Sequence, residues 1–121
     1  MTEFDELFFQ ESSSESEREE CYTDALGFHI RLVNKHHSLW GELIWSAGRV
    51  VGSAIQSKRG GIDVTDKTIV EFGSGSGLCC LCCASSGAKR VVCTDFPDDI
   101  LIDNLNFNMS DYKNVSVIGY K

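Results

Sequence analysis

A buried strand that runs straight into alternating glycines constrains this chain more than any other feature. Thr68-Ile69-Val70-Glu71-Phe72 has the β-branched content of a fully buried strand, Gly73-Ser74-Gly75-Ser76-Gly77 follows at once, and an apolar segment from about Leu78 to Ser86 reads as a helix. A strand–turn–helix of this kind sets its turn at the carboxyl end of a parallel sheet, where open α/β folds bind ligands. Glycine suits such a turn because a side chain would hold a ligand off the backbone, and because glycine adopts positive φ without strain.

The segments on either side extend the same pattern. Arg90-Val91-Val92-Cys93-Thr94 reads as a second strand ending at Asp95, a helix starts near Asp98 and carries Ile100, Leu101, Leu105 and Met109, and Val115-Ser116-Val117-Ile118 reads as a third strand. The crossovers are long enough for parallel pairing. The expected fold class is therefore α/β, the N-terminal half of a doubly wound Rossmann-like sheet with three parallel strands and crossover helices. Upstream, Phe28, Ile30 and Leu32 alternate with His29 and Arg31, which predicts a short half-buried strand. Ser38 can cap a helix from about Leu39 to Gln56, in which Trp40, Leu43, Ile44, Ala47, Val51, Ala54 and Ile55 recur at three- and four-residue steps. Gly41, Gly48 and Gly52 each cost that helix roughly 1 kcal/mol relative to alanine, so close packing or close backbone approach is their expected role.

Charge divides the chain in two. Of a formal −7 over 121 residues, residues 1–24 hold nine acids and only Arg18 as a base, or −8, and residues 25–121 hold nine acids and ten bases, or +1. The run Glu11-Ser12-Ser13-Ser14-Glu15-Ser16-Glu17-Arg18-Glu19-Glu20 has no apolar residue to offset the entropy of ordering, so residues 1–24 are expected to be a mostly disordered acidic tail before a domain over residues 25–121. This balance argues against nucleic acid or an anionic membrane as partner. The acidic N-terminus is unlike a secretory leader and no apolar run approaches the roughly 20 residues that span a bilayer, which predicts a cytoplasmic protein. Six cysteines, four of them in Cys79-Cys80-Leu81-Cys82-Cys83, lack the spacing of a secreted disulfide framework and are read as reduced thiols. Zinc would want a second, separated ligand pair, so on a helix against a sheet these cysteines are expected to act as small hydrophobes.

What the turn can hold follows from its charge. A dinucleotide fingerprint needs a third glycine where this chain has Leu78, and no phosphate-binding lysine follows the glycines. Glu71 places a negative charge beside the turn, which repels a pyrophosphate and favours S-adenosyl-L-methionine, a cofactor with a sulfonium and an ammonium. Asp95, at the end of the second strand and twenty residues beyond Gly75, is placed to accept hydrogen bonds from ribose hydroxyls. Its plainer role is that of a turn residue before Phe96-Pro97. Asp98 and Asp99 are expected only to favour the helix dipole.

Three segments together resemble the seven-β-strand protein methyltransferases: Leu39-Trp40-Gly41-Glu42-Leu43-Ile44-Trp45-Ser46-Ala47-Gly48, Ile69–Leu78, and Gly87-Ala88-Lys89-Arg90-Val91-Val92-Cys93-Thr94-Asp95-Phe96-Pro97. Within them the chain looks closest to the nicotinamide N-methyltransferase-like branch, whose members methylate the N-terminus and a lysine of translation elongation factor 1A. The resemblance implies S-adenosyl-L-methionine as cofactor, a protein substrate, a monomer when complete, and cofactor contacts at Trp45, Gly73, Ser74, Gly75 and Asp95, to which the charge argument adds Glu71. It assigns no catalytic residue. Family members continue past the third strand with a tryptophan-glycine pair and four more strands, whereas this sequence reaches Gly119-Tyr120-Lys121. The expectation is a truncated half-domain with a bare third-strand edge and both sheet faces short of helix cover. A noncatalytic cofactor- or partner-binding fragment is the rival from another class, and a dehydrogenase a distant third.

Overall fold

The computed structural model describes residues 20–23, 28–32 and 46–121. Along the chain these form β1 (Glu20–Thr23), β2 (His29–Leu32), α1 (Ser46–Ser57), a 3₁₀ turn (Arg59–Gly61), β3 (Thr68–Glu71), α2 (Leu78–Ser85), β4 (Arg90–Asp95), α3 (Asp99–Met109) and β5 (Val115–Gly119). β3, β4 and β5 form one parallel sheet in that order, with Ile69 beside Val91 and Val91 beside Val115. From β3 onward the alternation of strand and helix follows the sequence expectation, as one half of an α/β Rossmann-like fold. The residues expected to begin the tryptophan helix, Trp40, Gly41 and Trp45 among them, lie outside the described residues.

Side chains alternate across the sheet, and among the described residues only one of its faces is covered. Val91 and Cys93 are fully buried there, and Ile69, Val115 and Val117 pack into the same cluster with Leu78, Cys80 and Leu81 of α2 and Met109 of α3. The opposite face is open: Val70, Phe72, Ile118 and Tyr120 are between 48% and 69% exposed, and the Phe72 and Tyr120 rings lean on one another with centroids 5.5 Å apart. Among the described residues the shortage of cover falls on this face, where shortage on both was expected. Among the described residues β3 and β5 each pair on one side only, so both edges of the sheet are open.

α2 is buried nearly all round because it lies between the sheet and α1. Cysteine is small enough for such a site: an alanine at Gly52 of α1 would bring its Cβ to 2.9 Å from the Cys82 Sγ. At Gly48 an added Cβ would meet nothing, but its carbonyl accepts the Cys79 thiol at 3.4 Å. Close approach therefore explains Gly52, and no described contact requires a glycine at position 48. Burial pushes the Cys79 thiol up to about 12 and the Cys83 thiol up to about 11, with the Glu71 charge acting the same way. These thiols stay protonated at neutral pH, as small hydrophobes should.

The N-terminal region corrects one boundary. Residues 20–23 fall inside the stretch expected to be disordered, yet they form β1, antiparallel to β2 with Cys21 beside Arg31 and Tyr22 beside Ile30. Cys-Tyr-Thr is a good strand segment, and pairing with β2 satisfies backbone groups that local composition cannot see. Residues 1–19 lie outside the described residues. Asparagines of α3 attach β2 to the domain. Asn108 Oδ1 accepts the Arg31 backbone N–H at 2.9 Å, and the Nδ2 groups of Asn104 and Asn108 both donate to the Arg31 carbonyl, at 3.0 and 2.9 Å. Asn104 Oδ1 also accepts from Arg31 Nε at 2.9 Å, and the guanidinium lies 3.8 Å from the Phe107 ring centroid. Because Asn104 is buried and doubly bonded, Asn104→Ala should cost about 1–3 kcal/mol in a urea melt. Asn106→Ala, on the exposed side of α3, should stay within about 0.5 kcal/mol.

Candidate cofactor site

The carboxyl end of β3 breaks into a turn because Gly73, Gly75 and Gly77 all take positive φ, at 69°, 58° and 93°. Hydrogen bonds sew that turn to the end of β4. Ser74 N donates to the Thr94 carbonyl at 2.8 Å, Thr94 N to Ser74 Oγ at 3.1 Å, and Thr94 Oγ1 to the Glu71 carbonyl at 2.7 Å. On the far side, Asn108 Nδ2 donates to the Ser76 carbonyl at 2.8 Å, so one asparagine holds both β2 and the turn. α2 then starts at Leu78 with Gly77 as its N-cap residue.

Asp95 serves as the turn residue and also ties the turn to β4. Its Oδ1 accepts the Phe96 N–H at 2.7 Å, as a turn residue would, and its Oδ2 accepts the Gly75 N–H at 2.7 Å, closing β4 onto the glycine turn. A carboxylate has about four lone-pair sites, so both oxygens retain acceptor capacity for hydroxyls. Glu71, half-buried at the end of β3, receives the Cys80 thiol on Oε2 at 2.9 Å. Burial pushes its carboxyl up, the thiol hydrogen bond opposes that, and the Asp95 charge adds to it. Two carboxylates thus share one end of the sheet, which suits a cationic ligand and opposes an anionic one.

Of the residues expected to touch a cofactor, Glu71, Gly73, Gly75 and Asp95 meet at this crevice. Among the described residues a Cβ at Gly73 would meet nothing within 4 Å, so they leave open space on that side of the turn. Ser74 is placed differently: it is buried, and its hydroxyl is committed within the turn to Thr94 N and the Glu71 carbonyl. Trp45 lies outside the described residues. The open turn, the spare acceptor capacity of Asp95 and the acid at Glu71 fit a nucleoside-linked cation. Among the described residues no three His, Cys, Asp or Glu side chains are arranged to hold a metal ion, and no helix is long and apolar enough to cross a membrane.

Sequence reasoning missed Thr94, Cys80 and the asparagine pair. Asn104 and Asn108 could have been found, since they interrupt the Leu101, Leu105, Met109 stripe at positions where a polar residue is buried and must be bonded. Asp98, assigned to the helix dipole, also caps α3: its Oδ1 accepts from Ile100 N and Leu101 N at 3.0 and 3.2 Å.

Comparison with known proteins agrees with this geometry. Residues 27–118 match the family described as lysine methyltransferase. The chain is 40% identical over 92 residues to the protein N-terminal and lysine N-methyltransferase of Yarrowia lipolytica, covering 76% of this chain and 33% of that one. The enzyme of the same description from Schizosaccharomyces pombe is 39% identical over 95 residues, covering 75% and 36%. The chain therefore spans about a third of the length of these curated relatives. In fold it is similar to a crystal structure from Pyrococcus horikoshii described as an RNA methyltransferase, with a TM-score of 0.59, 18% identity, and coverage of 74% of this chain and 45% of that one.

Proposed function

The chain belongs to the lysine methyltransferase family, and from that premise we propose that its glycine turn binds S-adenosyl-L-methionine and that the whole protein methylates a protein amine, N-terminal or lysine. The observation that carries the reading is the pair of acids, Glu71 and Asp95, on either side of an open glycine turn at the carboxyl end of parallel strands. When bound, such a donor supplies an electrophilic methyl carbon on a positive sulfur. Asp95 would take the ribose hydroxyls, Glu71 would face positive charge, and Gly73 and Gly75 would let the ligand reach the backbone. None of these groups attacks or accepts the methyl. Their contribution is to bind and orient, and well-oriented reactants can lower a barrier by roughly 7–11 kcal/mol. The resemblance described above names translation elongation factor 1A as the finer substrate; a monomer is the expected state, and the acidic N-terminus supports a cytoplasmic setting.

Calorimetry on the chain tests the reading most directly. S-adenosyl-L-methionine should release or absorb heat in a saturable titration, NAD should bind far more weakly, and Asp95→Asn should weaken the first by roughly tenfold, the low end for a hydrogen bond to a charged group. Equal affinity for both ligands would overturn it.

A further inference from the structure

Beneath the glycine turn lies a sulfur–carboxylate cluster whose sulfurs the methyl-donor reading leaves without a role. Cys80 and Cys93 are 1% and 0% exposed. The Cys80 sulfur donates to Glu71 Oε2 at 2.9 Å, stands 3.6 Å from Ser74 Oγ, and is within hydrogen-bonding reach of the Cys93 thiol. An isolated buried thiol would need none of these partners. Cys80 therefore joins the first turn of α2 to the one acid of β3 that faces the crevice, nine residues back along the chain.

We propose that Cys80 is a positioning residue: its thiol, donated to Oε2, fixes the Glu71 side chain and keeps it an anion, so that the charge facing the ligand survives burial. The proposal rests on the methyl-donor reading above for what that ligand is. Its physical basis is a contest at a single carboxyl group. Withdrawal from water and the nearby Asp95 charge both favour the neutral acid, and the Cys80 hydrogen bond favours the ion. Among the described residues the groups that bear on Glu71 are Asp95 from β4, Cys80 from α2, and the thiols of Cys79 and Cys83, also on α2, which feel its charge. Those two thiols are held up to about 12 and about 11, so they stay neutral while the carboxyls titrate. The neighbouring Cys93 thiol, burial and the Glu71 charge hold Cys80 itself up, so it remains protonated across the same range. A buried, protonated thiol is also a poor nucleophile, which sets this role apart from a redox one.

The Glu71 carboxyl can be followed by carbon-13 NMR in the full chain without ligand, across a pH titration. Cys80→Ala should move its midpoint upward, and Cys80→Ser, which keeps a donor, should move it back toward the parent. At neutral pH, Cys80→Ala should weaken S-adenosyl-L-methionine roughly tenfold, with the loss growing as pH falls and largely recovered by Cys80→Ser. Should Cys80→Ala fail to fold, the infrared S–H stretching bands of the unsubstituted chain give a second reading: one band should shift to higher frequency as Glu71 takes up its proton. An unchanged Glu71 midpoint in Cys80→Ala, or S–H bands indifferent to that titration, overturns the proposal while leaving the donor reading intact. A shifted midpoint in a chain that binds no S-adenosyl-L-methionine overturns the donor reading and the positioning role with it.

Discussion

Glu71→Gln is expected to make the domain more stable at neutral pH and a much poorer binder of S-adenosyl-L-methionine. The two effects share one cause. Burial raises the Glu71 carboxyl in the folded chain above its ordinary value of 4.5, so folding favours the protonated form. By linkage, a raised acid contributes stability that is fully present below the unfolded value and is lost as pH rises through the folded one. At pH 7 the ionised carboxylate is therefore a net burden on folding. Glutamine has the same shape, keeps an oxygen to accept the Cys80 thiol, and carries no charge to desolvate. Melting curves should show the variant gaining on the parent as pH rises from below 4.5, with the gain levelling off once the parent's Glu71 is fully ionised. The same substitution removes the charge proposed to face the ligand, and a hydrogen bond to a charged group is worth about 1.5–3 kcal/mol, or roughly ten- to 150-fold in affinity. A variant that is less stable at every pH would show that the thiol bond outweighs burial. Unchanged affinity would remove Glu71 from the site.

This conflict between stability and binding explains why some parts of the molecule were legible in the sequence and others were not. β3, α2, β4, α3 and β5 lie where period, β-branched content and turn residues place them, because each of those signals acts over a few neighbouring residues. Asp95 was found for the same reason, since its distance from the glycines is set by one strand–helix–strand unit. What escaped depends on contacts between distant segments. β1 was hidden because its pairing partner, β2, is not signalled by its own acidic surroundings. The Asn104 and Asn108 clamp on Arg31 joins residues 73 and 77 positions apart, and the Cys80–Glu71 bond exists only after the turn folds α2 back beside β3. Ile100, assigned to the stripe of α3 by period, is exposed, while Asn104 and Asn108 are buried. Periodicity located the face of α3 and misjudged which residues occupy it.

Gly77→Ala should damage the fold itself, and comparison with Gly73→Ala isolates the reason. Both glycines take positive φ, so each alanine carries a backbone cost of roughly 1–2 kcal/mol. At Gly73 that is the whole cost, since the new Cβ would meet nothing within 4 Å. At Gly77 the Cβ would run into the Met109 methyl and come within 3.1 Å of Leu105 Cδ2. Met109 can swing its flexible end aside, but Leu105 is fully buried and Asn108 beside it is tied to the Ser76 carbonyl, so α3 cannot simply retreat. Overpacking a closed core costs typically about 1–3 kcal/mol, which brings the total to about 2–5 kcal/mol. That is a large share of the roughly 5–15 kcal/mol that holds a domain together. The melting midpoint should fall by about 10 °C or more in Gly77→Ala. In Gly73→Ala it should fall by clearly less, and the loss should appear instead in S-adenosyl-L-methionine affinity, because that methyl group projects into the open side of the turn. Equal melting losses in the two variants would mean that backbone strain alone governs the turn and that Leu105 and Met109 do not brace it.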